Sequence, residues 1–150
     1  MRRFTDPAEL LGATGQHLGY SGWLVVDQER VDRFADATDD HQWIHTDPRR
    51  AAGGPYGGTV AHGYLVLSLL PTLVTQVFAV DGVRVRVNYG LNKVRFPAPL
   101  RTGEAVRAGV AVAAVAEVPG GLHLELAVTV EPRGGGKPCC VAETVTRLYT

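Results

Sequence analysis

The chain has 150 residues and a formal net charge of zero at pH 7; 45% of its residues are hydrophobic and 20% are charged. These values are typical of one globular domain over residues 1–150 with a core of its own, and the lack of a basic run argues against nucleic-acid binding. The only cysteines are the neighbours Cys139 and Cys140. Adjacent strand residues point to opposite faces, so we expect no disulfide between them and a reducing, cytoplasmic location. The charged segment 1–10 does not resemble a secretory signal.

The first third of the chain is predicted to contain two helices and one short strand. An aspartate–proline pair suits the N-cap and first position of a helix over 5–11. Residues 20–26 alternate as a strand does, and a second helix over about 28–37 follows, capped by Asp27. The apolar stripe of that second helix comprises Val31, Phe34, Ala35 and Thr38.

Polar chemistry is concentrated in residues 39–63, which hold three of the five histidines and five of the eighteen glycines. Asp40 follows the end of the second helix. The aspartate–proline pair at 47–48 restarts a short helix, so His45 is expected in the connection between two helices. A glycine-rich loop then leads into an apolar helix predicted over about 62–80. That helix approaches membrane-spanning length, but polar residues and a central proline favour a buried core helix.

Beyond residue 83 the hydrophobic period becomes two, which predicts strands. One face of the first strand carries Val83, Val85, Val87 and Tyr89, and the other carries Arg84, Arg86 and Asn88. Longer alternating runs follow at 106–116, 122–130 and 140–149. One apolar helix followed by four long strands predicts an α+β domain, in which a mostly antiparallel meander curls around a long central helix. The sheet edges favour an edge-to-edge homodimer.

Asp40 and His45, five positions apart in a polar connection, form the candidate catalytic pair. A carboxylate accepts a proton, and a histidine holds or releases one near neutral pH because its reference pKa is about 6.5. Within reach of one water molecule, the pair could activate that water for a reaction on a small molecule. The alternative is that Asp40 caps a turn and His45 packs beneath the loop.

His62 and Gly63 lie at the expected start of the central helix. Backbone N–H groups there lack intrahelical partners, and the dipole is positive. These amides suit a carbonyl oxygen that gains negative charge, and a glycine allows close approach to it. Tight packing of helix against sheet is an equally good reason for glycine at position 63.

The amino-acid sequences of two segments in this region resemble those of a known family. FADATDDHQWIHTDPRRAA at 34–52, followed by GGTVAHGYLVLSLL at 57–70, resembles the hydratase motif of the MaoC-like family, the (R)-specific enoyl-CoA hydratases of hot-dog fold. DHQWIH is most similar to the subgroup of nodulation protein N-like proteins. VNYGLNKVRFPAPLRTGE at 87–104 is similar to the strand and turn that follow the central helix in that subgroup. The resemblance covers about residues 20–150.

The resemblance implies a hot-dog fold and roles for three residues. By this resemblance, Asp40 and His45 hold and activate the water that adds to a trans-2-enoyl-CoA, giving a (3R)-hydroxyacyl-CoA. The amide of Gly63 would stabilise the thioester oxygen. No cofactor is implied, because coenzyme A or acyl-carrier protein enters as part of the substrate.

Three positions depart from the family motif. The family's glycine, asparagine and proline are here Asp39, Gln42 and Trp43. Gln42 keeps an amide, one methylene longer, that can orient the loop. Asp39 places a second carboxylate beside Asp40, which either raises a pKa by repulsion or faces solvent. The Asp/His pair remains, and substrate preference is what these changes affect.

The substrate's acyl chain is expected in an apolar pocket beside the central helix. The predicted lining of this pocket is Trp43, Tyr56 and Leu65, and Gln42 and His62 are further predicted substrate-binding residues. The phosphates of coenzyme A need cations at the mouth of the pocket. The candidates for them are Lys93, Arg95 and Arg101.

Three alternatives remain. His41 and His45 have an i, i+4 metal-ligand spacing, with further candidate ligands in Asp40, Asp47 and His62. The zincin pattern requires glutamate where Gln42 stands and a continuous helix, so we expect no metal. A thioesterase of the same fold would also use a carboxylate and water, and would release free thiol from a saturated acyl-CoA. A non-catalytic acyl-binding module would not need both Asp40 and His45.

Overall fold

The computed structural model describes residues 1–150, which form five α-helices, one 3-10 helix and eight strands. The helices are α1 (Gln28–Thr38), α2 (Trp43–Thr46), α3 (Pro48–Ala52), α4 (Gly63–Ser68) and α5 (Leu70–Val74), and the 3-10 helix is Pro7–Gly12. The strands are β1 (Arg2–Phe4), β2 (His17–Tyr20), β3 (Leu24–Val25), β4 (Phe78–Val80), β5 (Val85–Arg95), β6 (Ala105–Val118), β7 (Gly121–Pro132) and β8 (Cys140–Tyr149).

Six of the strands form one antiparallel sheet in the order β2-β6-β7-β8-β5, with β3 also paired to β6. Strands β6, β7 and β8 follow one another as the predicted meander. Strand β5 lies at the opposite edge, beside β8, and residues 96–104 cross the sheet from there to β6. Residues 119–120 join β6 to β7, and residues 133–139 join β7 to β8. The meander prediction is therefore wrong for β5.

The central strands carry the alternation that the sequence predicts. The buried side chains of β7 are Leu122, Leu124, Leu126, Val128 and Val130. They share one hydrophobic cluster with residues of α4 and α5, among them Leu65, Val66, Leu70 and Leu73. Burial of each such side chain contributes about 1.5–3 kcal/mol. The two helices are therefore held against the concave face of the sheet mainly by apolar packing.

The central helical segment is shorter than predicted and is interrupted. Helix α4 ends at Ser68 and α5 begins at Leu70, next to Pro71. The helical pattern of backbone hydrogen bonds breaks there because Pro71 has no N–H to donate to a carbonyl one turn back. Residues 78–80 leave the helix and pair in parallel with β1 as β4, so the predicted extent to Val80 is wrong. None of the helices has the length and apolar character needed to cross a membrane.

Side-chain hydrogen bonds shape two parts of the chain near the N-terminus. The Asp6 carboxylate accepts the N–H of Ala8 at 2.8 Å, which confirms the predicted cap, although the turn that it starts is a 3-10 helix. The predicted strand over 20–26 is divided into β2 and β3. The hydroxyl of Ser21 accepts the N–H of Ala108 at 2.9 Å, in place of a backbone partner.

Helix α1 leads the chain into the polar region. The carboxylate of Asp27 accepts the N–H of Arg30 at 2.9 Å, as the predicted N-cap should. Asp39 adopts the left-handed conformation, with φ of 58°, and so ends the helix directly before Asp40. Thr38, predicted on the apolar stripe, is exposed, and its hydroxyl donates to a carbonyl one turn back.

On strand β5 the apolar side chains face outward and the polar side chains face a cavity, the reverse of an ordinary half-buried strand. Val85, Val87 and Tyr89 are exposed on its outer face. Arg86 and Asn88 line a cavity beneath the sheet. The sequence correctly separates these two faces, but a hydrophobic pattern alone would assign the apolar face to the core. This edge strand therefore presents an apolar row outward and polar groups inward.

Candidate active site

Asp40, His45 and His62 come together where α1 ends and α4 begins. Asp40 follows the left-handed residue after α1, His45 lies on α2, and His62 is the N-cap residue of α4. Their carboxylate and ring-nitrogen atoms all lie within 4.8 Å of one another. His45 was expected in an irregular connection but occupies its own short helix. The candidate residues that the sequence selected are thus brought into one cluster.

His45 is held as a neutral proton acceptor. Its side chain is buried, and Nδ1 lies 2.6 Å from the carbonyl oxygen of Val60. A carbonyl can only accept, so Nδ1 carries the proton and Nε2 keeps its lone pair. Burial lowers the pKa of His45 and nearby His62 acts in the same direction, while the Val60 carbonyl and Asp40 act against them. The basic Nε2 is therefore available to a water molecule.

His62 supports both members of the pair. Its ring is 3% exposed and stacks on that of His45, with centroids 3.8 Å apart and planes inclined by 22°. Nε2 lies 2.9 Å from the backbone carbonyl of Asp40, so it donates there, and it is 4.0 Å from the Asp40 carboxylate. Nδ1 of His62 is buried without a protein partner. The sequence suggested substrate contact for His62, whereas its observed contacts are to Asp40 and His45.

Gln28 is a site residue that the sequence analysis missed. Its amide nitrogen donates to the carbonyl of His45 at 2.7 Å and to the carboxylate of Asp32 at 2.8 Å. Its amide oxygen accepts the hydroxyl of buried Thr59 at 2.6 Å. One side chain thus joins α1, α2 and the segment before α4. No local signal reveals this, because Gln28 occupies an ordinary first-turn position of α1.

Gly63 is the first residue of α4 and touches Phe96. A Cβ placed on Gly63 would lie 2.9 Å from the Phe96 ring. This contact explains the glycine by packing, which was one of its two predicted reasons. The N–H groups of this first turn still lack intrahelical acceptors. A role for the Gly63 amide at a substrate oxygen is compatible with the same geometry.

A cavity of about 560 Å³ lies between the central helices and the sheet. Its walls come from α4, α5, β4, β5, β7 and β8. The predicted pocket residues Trp43, Tyr56 and Leu65 do not line it. Leu65 is in the core, the Trp43 ring packs on the Arg50 guanidinium at 4.4 Å, and Tyr56 lies on an exposed loop. A cavity therefore lies beside the central helices, but none of the three residues predicted to line an acyl pocket borders it.

The predicted cations differ in their engagement. Arg101 donates to the carbonyls of Tyr56 at 2.9 Å and Gly57 at 3.1 Å, so it clamps the glycine-rich loop. Lys93 and Arg95 are exposed on β5, and Arg95 donates to the neighbouring Val94 carbonyl at 2.7 Å. Gln42 is exposed, and its side chain makes no capping hydrogen bond to α2.

The remaining candidate metal ligands lie apart from the cluster. His41 bonds Asp36 at 2.8 Å on the surface, and this contact raises the pKa of His41. Asp47 caps α3 through the N–H of Arg50 at 3.0 Å. Spacing alone therefore paired His41 with His45 wrongly. Within the Asp40 cluster, each histidine has one nitrogen engaged by a carbonyl.

Comparison with known proteins agrees with this architecture. The family model described as MaoC like domain matches residues 9–131. The chain is 50% identical over 148 residues, 98% of each chain, to 3-hydroxyacyl-thioester dehydratase Z of Mycobacterium tuberculosis. It is 42% identical to nodulation protein N of Rhizobium leguminosarum bv. viciae, covering 93% of this chain and 88% of that protein.

Solved structures show the same fold. An (R)-hydratase from A. caviae involved in PHA biosynthesis superposes with a TM-score of 0.71 at 26% identity, covering 91% of this chain and 99% of that one. The R-hydratase PhaJ1 from Pseudomonas aeruginosa gives a TM-score of 0.76 at 21% identity, covering 97% and 86%. The predicted hot-dog fold is thereby confirmed. The chain belongs to the MaoC-like domain family.

Proposed function

We propose that this protein is a hydro-lyase that adds water to trans-2-enoyl thioesters to give (3R)-hydroxyacyl thioesters, and catalyses the reverse dehydration. The observation that carries the proposal is the convergence of the Asp40 carboxylate and the His45 ring at the start of α4. The 50% identical relative named as a 3-hydroxyacyl-thioester dehydratase supports the same reaction class.

The pair has the groups that hydration needs. The Asp40 carboxylate and Nε2 of His45 accept hydrogen bonds from one water molecule. The water oxygen bonds to C3 of the substrate, one water proton passes to the pair, and the pair returns a proton to C2, so one water is added in all. The Nδ1–H bond to Val60 keeps the His45 ring in the tautomer that this transfer requires.

The thioester oxygen becomes more negative as water attacks. The Gly63 amide, at the beginning of α4, donates to that oxygen in the proposed complex. The acyl chain then occupies the cavity that follows α4 and α5. The reaction needs no cofactor, since coenzyme A or acyl-carrier protein is the carrier part of the substrate.

The carrier enters from the β5 end of the site. Phe96, directly after β5, packs against Gly63 and so places Lys93 and Arg95 on the strand that leads to the oxyanion amide. These exposed cations are suited to the phosphates of the carrier. Arg101 is not included, because its guanidinium already holds the glycine-rich loop.

A homodimer is part of the proposal. Strand β5 has no neighbour on its outer edge, and its exposed apolar side chains include Val85, Val87, Tyr89 and Leu91. Pairing of two β5 strands would satisfy the free backbone groups and bring the apolar side chains of the two strands beside one another. Light scattering should report a dimer, and a monomer across the concentration range would contradict the assembly.

A cytoplasmic location is also proposed, supported by two free, buried thiols.

The decisive experiment measures hydration of crotonyl-CoA by the wild type, Asp40→Asn and His45→Gln. Each substitution removes a proton-transfer group and should lower kcat about 100- to 10,000-fold. Asp39→Asn is the matched control, because it changes an adjacent exposed carboxylate at a left-handed position that asparagine tolerates. Its activity should stay near that of the wild type.

Two results would contradict the proposal. One is a wild-type protein inactive on short, medium and long enoyl-CoAs alike. The other is release of free thiol from saturated acyl-CoA without hydration, which would identify a thioesterase. Binding of acyl-CoA without either reaction would instead identify a non-catalytic module.

A further inference from the structure

The wall of the cavity contains one charge. Of the seventeen lining residues, nine are hydrophobic and none is acidic. Arg86, on the inner face of β5, is the charged member. The uncharged polar members are Ser68, Thr75, Asn88, Thr144 and Thr146. Ser68 and Thr75 donate to the carbonyls of Tyr64 and Thr72. A purely alkyl ligand would leave the other polar side chains of the wall without partners.

Arg86 makes no hydrogen bond or ion pair with the protein. Its guanidinium carbon lies 5.6 Å from the centroid of the Phe78 ring, the nearest specific contact. Arg84, two positions earlier, instead donates to the carbonyl of Thr150 at 2.7 Å. Arg86 is exposed, and the partial burial of its guanidinium lowers its pKa. The donors of the Arg86 guanidinium are therefore free for a ligand in the cavity.

Asp40, His45 and Gly63 do not line the cavity, whose first wall residue along α4 is Leu67, one turn after Gly63. Within one protomer, the arginine lies at the opposite end of this cavity. Helices α4 and α5 run from Gly63 to Val74, which at about 1.5 Å per residue places Val74 roughly 16 Å from the oxyanion amide. Strand β5 runs in the opposite sense, because Phe96 at its end touches Gly63 while Arg86 near its start faces Phe78. A chain anchored by its thioester at Gly63 would point its distal end toward Arg86.

We propose that the cavity selects acyl thioesters that carry an anionic group, such as a carboxylate, at the distal end of the chain. The free guanidinium binds that group by charge-assisted hydrogen bonds. The amide of Asn88 and the hydroxyls of Thr144 and Thr146 supply further donors to the polar end as it is desolvated. The inference rests on the proposed hydration reaction and specifies which thioesters the site prefers.

The test compares three substrates. Crotonyl-CoA is too short to reach Arg86, trans-2-dodecenoyl-CoA has a methyl end, and the same twelve-carbon chain with a terminal carboxylate has the anionic end. The wild type should prefer the carboxylate-ended chain over the methyl-ended chain in kcat/KM. Arg86→Met keeps an unbranched apolar stem and removes the charged guanidinium. This variant should shift that preference roughly ten- to a hundredfold toward the methyl end.

Crotonyl-CoA separates this inference from the proposed function. The Arg86→Met variant should hydrate it at the wild-type rate, which also shows that the variant is folded. Arg84→Met is the matched control. It should leave kcat/KM unchanged on all three substrates, because the Arg84 guanidinium donates to the carbonyl of Thr150 and does not line the cavity.

Failure takes distinguishable forms. If the wild type does not hydrate crotonyl-CoA, the proposed reaction fails. If crotonyl-CoA is hydrated but Arg86→Met leaves the preference unchanged, the inference about the distal group is wrong and the reaction stands. An equal fall on all three substrates also overturns it, since Arg86 would then serve the folded structure.

Discussion

At the start of α4, His45 and His62 are almost completely buried, and each ring donates to a backbone carbonyl. At the other end of the helices, Arg86 faces the cavity with no protein partner. Both regions place polar groups against apolar walls, but only the first one satisfies its donors internally. The histidines, which must hold one orientation, are bonded to the chain, whereas the arginine that we propose to bind a ligand is left free.

Within the bonded region, most support for the proposed catalytic pair, Asp40 and His45, comes from other residues. Gln28 ties α1 to α2, His62 holds the carbonyl of Asp40, and Phe96 limits position 63 to glycine. The pair itself contributes little to its own placement, because the Asp40 carboxylate is about half exposed. Changes in the supporting residues should therefore lower activity without removing any reacting group.

The largest such effect is expected at Gly63. Alanine there would put Cβ at 2.9 Å from the Phe96 ring and displace the start of α4. A shift of about 1 Å at the oxyanion amide should lower kcat about a hundredfold. Crotonyl-CoA hydration and thermal unfolding measure the two consequences. Gly134→Ala is the control, because its added Cβ meets no atom within 4 Å.

A second substitution separates the two reasons for this glycine. Combining Gly63→Ala with Phe96→Leu relieves the contact. We expect the stability of the double variant to recover and its rate to stay low, since the alanine methyl group still obstructs close approach to the amide. Full recovery of the rate would show that packing alone requires the glycine.

A smaller effect is expected at Gln28. Alanine there removes hydrogen bonds to His45, Asp32 and Thr59. The free energy of unfolding should fall by about 1–3 kcal/mol, because buried partners lose their bonds. The hydration rate should also fall, by about tenfold, as α2 loses its anchor. Gln16→Ala, which removes one exposed bond to Gly12, should change neither urea unfolding nor activity measurably.

The smallest effect concerns pH. Burial lowers the pKa of His45 below its unfolded value of 6.5, so the unfolded chain binds more protons between the two pKa values. The stability gained by keeping the ring neutral is therefore complete above the unfolded pKa and is lost as pH falls through the folded one. Urea unfolding between about pH 5 and pH 8 should show a steeper acid loss for the wild type than for His45→Gln. Parallel profiles would show that His45 does not cause the loss.

The sequence predicted the parts of the fold that depend on local pattern. The N-cap at Asp27 and the start of α3 after Asp47 depend on side-chain bonds within three residues, and both are confirmed. The alternation of β6 and β7 follows from the two faces of a strand. The family and the hot-dog fold were predicted from a motif that includes Asp40, His45 and Gly63, and the comparisons confirm both.

Tertiary structure alone decided what lies far apart along the chain. Gln28 meets Thr59 across 31 positions, and Arg101 meets Tyr56 across 45. The predicted helix does not continue through residues 78–80, because these residues pair as β4 with β1 at the N-terminal end of the chain. Likewise, the faces of β5 follow from alternation, but which face turns inward depends on the position of the strand at the edge beside β8. Local pattern determines which residues share a face, and only packing determines what that face contacts.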